Sequence, residues 1–290
     1  MKTSLTTLNI LFVLFVTITL NTAFAQTNVL NESTLPLKKS NLELSKIKVI
    51  PISDSKTKRQ YELYIKLPEG YSEDSKTKYP VLYFTDAMWH IEILSGSSEY
   101  LMKNLILVGI SWQKNEKPGI SRYRDYTLLK GMNKKYQSGN ADNHLSFIQN
   151  DVFNYIESNY KAEDNNRTYF GYSLGGTFGA YMLLTQPKMF KNYILGSPET
   201  LLDDSYIHNY NAISTQKLKT IEANVFISTG ALERKDLMEQ AKELDSMLKK
   251  YKNISLKFKI IKSADHGKAF PMTAVQSMYW LSEFIKNKAE

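Results

Sequence analysis

Residues 167–185 read Arg167-Thr168-Tyr169-Phe170-Gly171-Tyr172-Ser173-Leu174-Gly175-Gly176-Thr177-Phe178-Gly179-Ala180-Tyr181-Met182-Leu183-Leu184-Thr185. The opening RTYF is rich in β-formers and predicts a strand, and Thr177–Thr185 predicts a helix that Pro187 stops. Between them stands Gly171-Tyr172-Ser173-Leu174-Gly175, a G-x-S-x-G pattern. A strand running directly into the motif and a helix running directly out is what a nucleophile elbow requires. The glycines remove side chains that would collide with neighbouring backbone, so the Ser173 hydroxyl projects above the sheet edge. The amide of Leu174 opens the helix, where free N–H groups and the helix dipole favour developing negative charge. The competing explanation is a plain glycine-rich turn with no chemistry.

Working outward, the chain alternates between strand and helix periods. Gln60–Leu67 alternates as a half-buried strand, while Tyr79–Thr85 and Leu105–Trp112 are apolar throughout, as strands covered on both faces are. Residues 113–142 show no convincing periodicity and are expected to be a long loop. Leu145–Tyr160 carries helical spacing. Tyr193–Leu195, Asn224–Ser228 and Ile254–Ile261 predict strands, and Leu237–Tyr251 and Met272–Ile285 predict helices. Alternation of this kind indicates an α/β fold: a mostly parallel central sheet with helices on both faces.

A serine hydroxyl needs a base to take its proton. The sequence holds four histidines: His90, His144, His208 and His266. His266 lies between the last strand and the last helix, at the carboxyl edge of the sheet and therefore on the side of the elbow. His144 reads as a capping or surface residue, His208 as exposed, and His90 as a residue able to line a pocket. The base in turn needs a carboxylate to hold its tautomer. The chain order serine, acid, histidine places Glu233 first, in Gly230-Ala231-Leu232-Glu233 after the strand NVFIS; Asp236 and Glu199 remain alternatives. Asp265 adjoins the histidine too closely to orient its ring. The second oxyanion donor is expected from the turn after an earlier strand, Thr85-Asp86-Ala87-Met88, at the amide of Ala87 or Met88. Trp89, Tyr172 and Glu199 are candidate pocket residues, with Tyr123, Tyr126 and Tyr136 as further aromatic walls.

Composition narrows the chemistry. With no cysteine among 290 residues, a disulfide scaffold, a thiolate nucleophile, a cysteine zinc site and an iron–sulfur cluster are excluded. The net charge of +8 comes almost entirely from scattered lysines, with arginine only at positions 59, 122, 124, 167 and 234. Nucleic-acid recognition usually leans on arginine's planar fork, so the excess charge reads as solvated surface, with no nucleic-acid partner.

The first 25 residues predict a secretory signal peptide: Lys2, then the apolar run Ile10–Leu20, then Ala23-Phe24-Ala25 before Gln26. The run is about half the roughly 20 residues a spanning helix needs, so no stable membrane anchor is expected. Residues 26–45 read as a linker or edge segment and 46–290 as one catalytic domain, exported to the periplasm or beyond.

The chain resembles the putative-esterase (esterase D-like) family of the α/β-hydrolase superfamily. The resemblance spans about residues 45–288 and rests on YPVLYFTDA, SRYRDYT, SGNADNHLSFIQNDVFNYIESNY, RTYFGYSLGGTFGAYMLLTQPKMF, STGALE and DHGKAFP. It implies the α/β-hydrolase fold, Ser173 as nucleophile, His266 as base and Glu233 as acid. Siderophore-esterase relatives often carry Ser-Pro-Ser followed by tryptophans where this chain has Ser197-Pro198-Glu199-Thr200-Leu201-Leu202. The expected function is a secreted serine carboxylesterase acting on a small-molecule ester without metal or organic cofactor. The alternatives are a siderophore trilactone esterase, an acyltransferase using the same acyl-enzyme, and a non-catalytic binding module.

Overall fold

Apolar side chains on both faces of the central strands force helices onto both sides of the sheet. In β3 (Tyr79–Thr85), Val81 and Tyr83 point into one core, while Leu82 and Phe84 point into the other. The same alternation runs through β5 (Ala162–Tyr172), β6 (Asn192–Gly196) and β7 (Ala223–Gly230), for example Val225 and Ile227 against Phe226. A strand buried on both faces has no polar side to expose, which is why these segments read as continuous apolar runs.

The computed structural model describes residues 46–74, 76–131, 136–199, 219 and 222–285. The signal peptide and linker expected over 1–45, and His208, lie outside the described residues. Eight strands form one sheet in the order β1-β2-β4-β3-β5-β6-β7-β8. β1 (Ile47–Ser53) and β2 (Gln60–Lys66) add antiparallel, and β4 (Ile106–Ile110) through β8 (Ile254–Ile261) pair in parallel with β3 among them. β1 was not expected from the sequence; it contains Pro51, which an edge strand tolerates because one side of its backbone has no partner.

Helices α1 (Ala87–Leu101) and α7 (His266–Ser282) bury Ile91, Leu94, Met278 and Leu281 in one core. On the opposite face lie α3 (Ala141–Phe147), a π turn at Ile148–Val152, α4 (Phe153–Asn159), α5 (Leu174–Thr185) and α6 (Lys235–Leu248). Every residue of α5 from Leu174 to Leu184 is buried, so the helix behind the elbow is a core element. None of the described helices is long and apolar enough to cross a membrane.

Three expectations are corrected. The stretch 113–142 is not one loop, since α2 (Pro118–Tyr126) lies inside it. The buried residues of α2 are Ser121, Arg124, Asp125 and Tyr126, so a count of apolar positions finds no period. Their polarity is satisfied locally: Arg124 pairs with Asp125 at 2.8 Å, and Ser121 and Tyr61 donate to Asp125 at 2.9 and 3.0 Å. Second, His144 is not a surface cap but is buried among the rings of Tyr61, Tyr126, Phe147 and Phe178. Third, the closing helix starts at His266 rather than Met272 and carries Pro271 inside it. Asp265 is its cap, Oδ1 accepting from the Lys268 amide at 2.9 Å, which explains an acid beside the histidine that does not orient its ring.

Candidate active site

Ser173 sits between the end of β5 and the start of α5 with φ 58° and ψ −123°, a conformation L-residues avoid. The turn is locked by main-chain bonds: the Ser173 amide donates to the Gly196 carbonyl at 2.8 Å, and the Thr177 amide to the Ser173 carbonyl at 2.9 Å. A Cβ at Gly171 would meet the Gly175 carbonyl oxygen at 2.2 Å, and one at Gly175 would meet Thr85 Oγ1 at 2.4 Å. The two glycines of the motif are therefore there for close approach. The second contact also brings the β3–α1 turn against the elbow. Ser173 itself is only partly buried.

Leu174 and Ala87 are each the first residue of a helix, α5 and α1. First-turn amides have no acceptor inside their own helix, so both N–H groups are free to serve a ligand or water. Asp86, before Ala87, holds a left-handed conformation (φ 58°) and is wholly buried.

Glu233 follows β7 and His266 follows β8. Because the strands are parallel, both lie at the edge of the sheet to which β5 delivers Ser173. Glu233 Oε2 is 3.5 Å from His266 Nδ1, and neither atom has another hydrogen-bond partner among the described residues. That spacing is longer than a formed hydrogen bond. The other carboxylate oxygen accepts from the Ser197 hydroxyl at 2.5 Å and the Gly230 amide at 3.1 Å. Burial alone would raise the Glu233 carboxyl; the His266 contact and these two donors outweigh it and hold it below its ordinary value.

The alternative acids are engaged elsewhere. Asp236 forms an exposed pair with Arg234, Oδ2 to Nη2 at 2.8 Å. Glu199 reaches the same guanidinium at 3.5 Å, and burial raises its carboxyl above the usual value. Of the three candidates, only Glu233 forms an ion-pair contact with His266.

The aromatic candidates divide into partly exposed and buried side chains. Trp89 is about half exposed, its ring 5.0 Å from that of Trp112 and 5.0 Å from the Arg122 guanidinium carbon. Tyr123 and Tyr136 stack at 5.2 Å. Tyr172 is buried and donates its hydroxyl to the His266 carbonyl at 2.5 Å. His90 is buried, its Nδ1 2.9 Å from the Thr85 carbonyl and its ring stacked on Phe270. The sequence reading gave no role to two residues found beside the candidates: Ser197, quoted only as the counterpart of the relatives' Ser-Pro-Ser, which donates to Glu233, and Arg122 of the SRYRDYT motif, which grips Asp86. Among the described residues no group of acids and histidines is arranged to hold a metal ion.

The profile of the putative esterase family matches residues 54–290. The chain belongs to this family. Membership makes the protein a hydrolase of ester bonds, and the fold agrees. It is 26% identical over 202 residues to the ferri-bacillibactin esterase BesA of Bacillus subtilis, covering 63% of this chain and 69% of BesA. The crystal structure of the BES protein from Bacillus cereus superposes with a TM-score of 0.75 at 22% identity, covering 84% of this chain and 99% of that one. The siderophore hydrolase EstA from Aspergillus nidulans superposes with a TM-score of 0.69 at 17% identity, covering 85% and 98%. At these identities the structural likenesses speak for the α/β-hydrolase-like fold.

Proposed function

We propose that this family member is a serine esterase working through an acyl-enzyme on Ser173, and that its substrate is the ester linkage of an iron-chelating siderophore. The observation that carries the mechanism is the strained, partly exposed Ser173 at the sheet edge that also carries the Glu233–His266 contact. Ser173 Oγ attacks the ester carbonyl as His266 Nε2 takes its proton. Glu233 holds the Nδ1 proton of the imidazolium. The amides of Leu174 and Ala87 receive the oxyanion. Collapse expels the alcohol, which receives the proton from His266; water, activated by the same imidazole, then releases the acid. Every step is a proton or acyl transfer among these groups, and no cofactor enters the scheme.

The substrate class rests on the likeness to BesA and to siderophore hydrolases. Export through the signal peptide expected over residues 1–25 belongs to the same proposal and places the enzyme where chelators arriving from outside would meet it.

The test is an ester panel: p-nitrophenyl butyrate, a feruloyl ester, an acetylated xylooligosaccharide, and a catechol trilactone with and without ferric ion. Wild-type enzyme should cleave the trilactone with the highest kcat/KM, and Ser173→Ala should be inactive on every member. A Ser173→Ala variant active at the parental rate would overturn the mechanism. Preferential cleavage of the sugar or feruloyl ester would overturn the substrate class alone.

A further inference from the structure

Ser197 and Tyr172 are both buried beside the three proposed catalytic side chains, and neither has a part in the chemistry above. Ser197 directly follows β6 and has φ 41°, a left-handed conformation that serine adopts at a cost. Its amide donates to the Ser228 carbonyl of β7 at 2.8 Å, which fixes the strained residue in the sheet. From there the hydroxyl donates to Glu233 Oε1 at 2.5 Å and lies 3.1 Å from the Tyr172 hydroxyl. Tyr172 precedes Ser173 in the chain. Its hydroxyl donates to the His266 carbonyl at 2.5 Å, and its ring is 5.2 Å from the imidazole.

A closed circuit results. Glu233 touches the imidazole of His266; Ser197 holds the back of Glu233; Ser197 abuts Tyr172; and Tyr172 holds the main chain of His266. Three loops, after β6, β7 and β8, are thereby tied to the residue beside the nucleophile.

We propose that Ser197 and Tyr172 are positioning residues that together set the Glu233–His266 pair relative to Ser173. The proposal rests on the serine-esterase reading above. Its reasoning is geometric. Glu233 and His266 lie on separate loops, and a carboxylate pinned at one oxygen can present the other only in one direction. Displacement of a catalytic group by about 1 Å can cost on the order of 100-fold in rate. The strained φ at Ser197 fits this role, since a backbone conformation of this kind persists only where the surroundings enforce it, and such residues cluster at active sites. Tyr172 suits this tie because its hydroxyl reaches the His266 carbonyl while its ring lies beside the imidazole.

The decisive variant is Ser197→Gly. Glycine adopts positive φ without strain, so a merely structural serine replaced by glycine leaves thermal stability and kcat equal to or above the parent's. The positioning role instead gives a kcat for p-nitrophenyl butyrate lower by roughly 10- to 100-fold, with KM within about twofold and the melting temperature retained. Tyr172→Phe should show the same split between kcat and KM. The double variant should lose less than the product of the single losses, because the two hydroxyls act on one pair. Parental kcat in Ser197→Gly, or fully multiplicative losses in the double variant, overturns the proposal. A fluorophosphonate probe separates this from failure of the underlying reading. Wild-type enzyme that the probe does not label at Ser173 sinks the esterase mechanism itself. Wild type and both variants labelled at one rate sinks only the bridge.

Discussion

Arg122 closes a two-pronged ion pair on Asp86, Nε to Oδ1 at 2.8 Å and Nη2 to Oδ2 at 3.1 Å, directly behind the amide of Ala87. The Asp86 carboxylate is wholly shielded from solvent and the Arg122 side chain is 15% exposed. The guanidinium also faces the rings of Trp89 and Tyr126. Asp86 itself holds a left-handed backbone, so the pair fixes a turn that would otherwise relax. A partner removed from a buried pair leaves an uncompensated charge, which costs about 3–5 kcal/mol. Arg122→Met should therefore lower unfolding free energy by about that much. The double variant Asp86→Asn/Arg122→Met should recover part of the loss, read by urea denaturation.

Ser173 holds a strained backbone conformation, with φ 58°. Ser173→Gly should gain about 1 kcal/mol of stability by relieving φ 58°, while Ser173→Ala should not. On the proposed mechanism both should lose ester hydrolysis by about 10⁴-fold or more, since a nucleophile and its base act as a unit. Paired denaturation curves and rates on one substrate check the two statements together.

Glu233 is held ionised in the fold, which has a pH signature. Its folded-state pKa lies below the unfolded value, so its stabilising contribution is complete above about pH 4.5 and is lost as pH falls through the lower folded value. Glu233→Gln should flatten that acidic stretch of the stability curve. On the catalytic side the change leaves shape but removes charge, and kcat should fall by about 10²- to 10⁴-fold. Unfolding free energy measured from pH 3 to 7 and kcat at pH 8 provide the check.

His144 predicts a second acid effect at higher pH. Burial lowers its pKa, and neither ring nitrogen has a hydrogen-bond partner among the described residues. The unfolded chain takes up a proton near pH 6.5 where the folded chain does not, so stability declines as pH falls below about 6.5. His144→Leu should remove part of that decline. His90, also lowered by burial, supplies another part and should remain in the variant. Melting temperatures at pH 5 and 7.5 for wild type and variant report the difference.

Much of this fold was legible because its central strands are apolar on both faces and its elbow is a local motif. β3 and β8 fall at the boundaries read from the sequence, Tyr79–Thr85 and Ile254–Ile261. What escaped was polar burial. α2 hides its core-facing side behind Ser121, Arg124 and Asp125, which satisfy one another and Tyr61, and His144 hides in an aromatic cage. Both break the rule that buried residues are apolar: the α2 polar groups satisfy one another and Tyr61, and the His144 ring packs among four aromatic rings.

The amino-acid sequence by itself determined the elbow. G-x-S-x-G between a β-rich run and a helix needs only neighbours within a few residues to take shape. It also put Glu233 first as the acid, with Asp236 and Glu199 as alternatives. Which of them meets His266 belongs to the tertiary structure, because parallel strands bring the loops after β6, β7 and β8 to one edge. There Glu233 turns to His266 while Asp236 and Glu199 turn to Arg234. Contacts between residues 33 or more positions apart are set by strand order and register, and no local pattern encodes them.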